Sequence, residues 1–147
     1  MDIAKALAEI DRLCAGPFPA EHTWTDTGSA GPGHRTAALA TGDDFWEDDG
    51  SRREEAADQY ACYRDGLAAR LTERWGPPQE FSLYSVCVRT VEGEEVPEPW
   101  GSLSGHVPDV QLWRAPGTGR WIALGVSQHD KELPFQLLAV ATDVDPP

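Results

Sequence analysis

Residues 42–50, "GDDFWEDDG", set five carboxylates around a Phe-Trp pair. Acids at that density can cage a hard cation, share a proton, or hold a basic partner. An EF-hand loop with its glycine at the sixth position would start at Phe45 and end on Ala56, so the first ligand and the terminal bidentate Glu are missing and calcium by that geometry is excluded. A looser cage of Asp43, Asp44, Glu47 and Asp48 competes with plain hydration, the commoner state of neighbouring loop acids, so no metal is expected.

Other residues capable of chemistry are His22, His34, His106 and His129. "QHDKE" (128–132) sets His129 beside Asp130 and Glu132, which makes these three the candidate acid-base group. Adjacent strand residues point to opposite faces, and a polar hairpin is the simpler account of the same stretch. "GSLSG" (101–105) has Leu103 where a nucleophile elbow needs Ser, so it is expected to be a turn. "GPGHR" (31–35) lacks the glycine spacing of a phosphate loop and is expected to be a turn too. Cys14, Cys62 and Cys87 form no CxxC, and no HExxH exists, so neither zinc nor any other cofactor is expected.

Charge and tryptophan carry a broader pattern. The formal charge is −13, which disfavours nucleic-acid and anionic-membrane binding, both of which depend on basic side chains. Residues 43–55 and 92–109 each carry a net −5. Trp24, Trp46 and Trp100 fall in short polar contexts, two of them inside those acidic segments, whereas Trp75, Trp113 and Trp121 fall on regular elements. Carboxylates beside indoles suit a cationic partner, through ion pairs and cation–π contact. Asp43, Asp44, Trp46, Glu47, Asp48, Glu94, Glu95, Glu98 and Trp100 are therefore the candidate partner-binding residues, expected to lie on one side of the domain. The alternative is that the three tryptophans pin loops to the core.

The elements that must position these residues follow from periodicity. Residues 2–15 show a helical apolar stripe stopped by Gly16-Pro17. "EHTWTD" and "HRTAALATG" read as two short strands around the connection "GSAGPG". Ser51 and Glu54 form a capping-box pattern ahead of a helix from Arg52 to Trp75, whose stripe is Ala56, Tyr60, Tyr63, Leu67, Leu71 and Trp75 and whose stop is Gly76-Pro77-Pro78. Residues 81–90, 107–115, 120–127 and 134–142 read as a four-strand antiparallel meander with links too short for crossover helices. The 147 residues form one expected α+β domain, an antiparallel sheet with two helices on one face.

Three unpaired cysteines, no apolar run long enough to span a bilayer and no secretory leader point to a reducing cytoplasm. Two Lys against ten Arg and no Asn point to a GC-rich, bacterial coding sequence. Small size, acidity and helices over a small sheet resemble the immunity proteins that neutralise bacterial toxins, a likeness of architecture and charge from which no residue is carried over. The leading expectation is an acidic, cofactor-free module that holds a basic protein, as an inhibitor would, and more a binder than an enzyme. The second is a small enzyme or small-molecule-binding protein using a helix-sheet cleft near His129. The third is a homo-oligomeric structural protein, which requires an exposed apolar sheet face or unpaired strand edge.

Overall fold

A computed structural model describes residues 1–25 and 28–147. The elements in chain order are α1 (Ile3–Ala15), β1 (Thr23–Thr25), β2 (Gly28–Gly31), β3 (His34–Thr41), α2 (Ser51–Trp75), β4 (Gln79–Ser82), α3 (Tyr84–Val91), α4 (Trp100–Ser104), β5 (Asp109–Ala115), β6 (Arg120–Ser127) and β7 (Gln136–Thr142). The strands make one antiparallel sheet in the order β1-β2-β3-β7-β6-β5-β4. The α+β reading is correct and 107–115, 120–127 and 134–142 fall on three adjacent strands, while the sheet is larger than expected. "GSAG", read as a connection, is the strand β2, and Asp26 of the expected first strand lies outside the described residues.

Alternation along the strands sends side chains to two cores. Leu137, Ala139 and Ala141 of β7 face α1 and α2, joined by Ile122 and Leu124 of β6 and by Ile10, Leu13, Leu67 and Leu71 of the helices. Leu138 and Val140 point the other way, with Val110, Leu112 and Ala123, against Val86 of α3 and Trp100 and Leu103 of α4. Helices therefore lie on both faces, which corrects the one-sided expectation. Two segments differ from the sequence expectation: 81–90 leaves the sheet after Ser82 and becomes α3, and "GSLSG" falls largely in the short helix α4. The β4–β5 link holds both helices and still returns antiparallel.

The long helix α2 has the predicted extent but a different start. Gly50 is its N-cap in a left-handed conformation (φ 104°), with no side-chain cap of its own. Asp48 takes over: Oδ1 accepts from the amide of Arg52 at 3.2 Å and Oδ2 from that of Arg53 at 2.9 Å. Asp49 accepts from the amide and hydroxyl of Ser51 at 3.0 and 2.7 Å, bonds that hold its carboxyl below the usual range. The Ser51–Glu54 capping box is thus corrected, since the amide of Glu54 bonds the carbonyl of Gly50. At the far end Gly76 (φ 86°) stops the helix, and its carbonyl accepts from the indole Nε1 of Trp113 at 3.0 Å.

Candidate functional site

Helices α3 and α4 pack over β5, β6 and β7, with Ala38 of β3 at the margin of the same core. Between α4 and the β1–β3 side of the sheet lies a cleft of about 820 Å³. Strand pairing brings its floor together: Trp24 is opposite Ser29, Ser29 opposite Thr36, and His34, Thr36 and Ala38 alternate onto the same face of β3. These side chains are mostly small, so the floor stays open. A tight turn delivers His34, since Gly33 sits at φ 77° between β2 and β3, a conformation L-residues rarely adopt. The expected turn at "GPGHR" is therefore present. Glu98, Pro99, Ser102 and Leu103 form the wall on the α4 side.

All four histidines of the chain, spread over more than a hundred residues of sequence, line this one cleft. His106 is the most firmly held. Its carbonyl accepts from the amide of Gln128 at 3.0 Å, which ties it to the end of β6. Gly125 allows the chain after His106 to cross β6 closely: a Cβ there would stand 2.8 Å from Val107 Cγ1 and 3.0 Å from the Asp109 carbonyl oxygen. The ring of His106 contacts the Ser127 hydroxyl through Nδ1 at 2.6 Å and stacks on His129 with centroids 4.0 Å apart and planes 18° from parallel. Burial, then the neighbouring His129, push its pKa down to about 4, so the ring is neutral near pH 7.

His34 is lowered too, chiefly by burial; the charge of Glu98 pulls it up and that of His22 pushes it down. Its Nδ1 is buried and has no hydrogen-bond partner among the described residues. His22 meets Trp24 edge-on, with ring centroids 5.0 Å apart, and Trp24 is 78% exposed at the mouth. Glu98 accepts from the amide of Ser102 at 3.1 Å and its hydroxyl at 2.8 Å. One bond to each oxygen leaves the carboxylate further lone pairs for a ligand.

Ser127 is fully buried and does not line the cleft, so its bond to His106 holds the ring and does not arm a nucleophile. Among the described residues no group of three or more His, Cys, Asp or Glu side chains converges as a metal site, despite the four imidazoles.

The acid-base trio divides. His129 lines the cleft, whereas Asp130 and Glu132 do not; their backbone carbonyls accept from the amides of Leu133 and Phe45. The expected partner-binding residues divide as well. Phe45 is buried in the core on the α1–α2 face, edge-on to Phe135, and anchors the 43–50 segment there. Asp43, Asp44 and Glu47 are exposed, and Trp46 is 63% exposed. Trp100, by contrast, is 0% exposed in the core of the opposite face, its Nε1 donating to the carbonyl of Val144 at 3.1 Å. The expectation of one shared Trp46–Trp100 surface is corrected, because Trp100 is buried in the core while Trp46 stands in solvent. Glu94 pairs with Arg89, Glu95 is exposed, and Glu98 alone of the nine lines the cleft. His22, His34, His106 and Trp24 are the site residues the sequence left unassembled.

Comparison with protein-family models, with curated proteins and with solved structures finds no significant match to this chain.

Proposed function

We propose that the protein is a binding protein whose helix-sheet cleft takes a compact cationic ligand carrying an amine or guanidinium group. One observation carries this reading. Among the described residues lining the cleft, the only side chain with a fixed charge is the carboxylate of Glu98; no Lys or Arg is present. Trp24 adds an indole, whose face attracts cations. The neutral imidazole of His106 and the hydroxyls of Ser29, Thr36 and Ser102 supply hydrogen bonds without adding a fixed positive charge. The chain's formal charge of −13 favours approach of a cation over long range. Binding rather than catalysis fits a site in which the serine paired with His106 is sealed in the core.

Calorimetry with agmatine and arginine ethyl ester against phosphate, acetate and glucose tests the reading. The two cations should bind saturably, and Glu98→Gln should weaken them about tenfold or more, the worth of one charge-assisted hydrogen bond. Tighter binding of phosphate, or affinity indifferent to Glu98, would refute it.

A second reading places the cation on a basic protein partner. It is favoured by the exposed indole of Trp46 among the exposed carboxylates of Asp43, Asp44 and Glu47. In that case Trp46→Ala should speed release of the partner while cleft changes leave it alone.

A further inference from the structure

A second pocket, of about 330 Å³, opens beside α2 where β6 ends and β7 begins. Its lining has the opposite character to the cleft: Arg53 and Arg64 stand over Ala57, Ala61, Val126 and Phe135. We propose that it binds a small organic carboxylate with an apolar body.

The guanidinium of Arg53 carries the inference. Its Nε and Nη2 donate to Gln128 Oε1 at 3.2 and 2.8 Å, and Gln128 is itself held by donating to the carbonyl of Leu133 at 3.0 Å. Its Cζ lies 5.8 Å from the centroid of the Phe135 ring. The positive charge is thus fixed in direction by a neutral acceptor, and among the described residues Arg53 forms no ion pair. With the Nε edge occupied, Nη1 and the second hydrogen of Nη2 remain as a forked donor pair, the geometry that grips a carboxylate through two parallel bonds. Arg64 adds a second charge, shared with Asp65 through an Nε–Oδ1 contact of 3.2 Å. The apolar lining takes the rest of the ligand, and the volume is at the lower end of small-molecule pockets, enough for one ring or a short chain. Repulsion from the acidic chain is screened beyond roughly 8 Å at physiological salt, so the two arginines set the potential the ligand meets.

Phenylacetate and hexanoate are the probes, with benzyl alcohol and benzylamine as matched controls, titrated by calorimetry into the whole protein. The two acids should bind saturably and the controls at least about tenfold more weakly, since they lose the bidentate ion pair. Arg53→Gln should weaken phenylacetate by a similar factor. Gln128→Glu keeps an acceptor beside Arg53 while neutralising it, and should have the same effect in a protein whose circular dichroism is unchanged. Equal affinity for phenylacetate and benzyl alcohol, no saturable binding of either acid, or full binding by Gln128→Glu would overturn the proposal.

Discussion

At the scale of single residues, the acids of "GDDFWEDDG" have separate tasks. Asp48 closes two amides at the start of α2, and Asp49 holds Ser51. Asp48→Ala should therefore cost about 1 kcal/mol, as loss of a helix cap does, and Ser51→Ala less than about 0.5 kcal/mol, as for an ordinary surface change. Urea denaturation ranks the two, and the reverse order would restore the Ser51 cap. His106 supplies a pH signature. Its pKa falls from 6.5 in the unfolded chain to about 4 in the fold, so between these values the unfolded state binds more protons. Stability must then rise with pH through that window: the neutral ring is fully tolerated above 6.5, and the penalty grows as pH falls towards 4. His106→Gln should flatten this part of the curve of unfolding midpoint against pH. An unaltered slope would mean that the ring is not buried against Ser127 and His129.

At the scale of elements, the two tryptophans of the acidic segments make the sharpest contrast. Trp100 fills the core beneath α4 and Trp46 stands in solvent, so Trp100→Ala should cost about 3–5 kcal/mol and Trp46→Ala less than about 0.5 kcal/mol. Similar costs for both would contradict the placement of α4. The sequence could not separate them, since "DDFWEDD" and "EPWGS" are equally polar neighbourhoods and burial depends on which core lies beneath. The helix α2 was legible because a long stripe with a Gly-Pro-Pro stop has no other reading. Helix α3 was not: over eight residues, Val86 and Val88 fit a strand's alternation as well as a helical turn, and packing of Leu83 and Val86 into the second core decides. The strand β2 was hidden by its composition, because "GSAG" offers no β-branched side chain and is a strand through its pairing with β3.

At the scale of the whole molecule, the cleft is a product of unequal cover. Two short helices shield only part of one sheet face, and pairing of β1, β2, β3 and β7 assembles on the remainder residues that are distant in the chain. Local pattern marks His129, through "QHDKE", and sets Glu98 in an acidic segment; their joint location depends on the strand order, which no local pattern encodes. The central claim is that one cationic ligand occupies the cleft lined by His22, His34, His106 and His129 with Glu98 and Trp24. The most direct test is long-range proton–nitrogen NMR of the imidazoles during titration with agmatine, with the Trp24 and Trp46 indole signals followed in parallel. The account predicts that all four imidazoles and Trp24 shift along one saturation curve while Trp46, on the approach to α2, stays still. Movement of Trp46 with the imidazoles unmoved would contradict it.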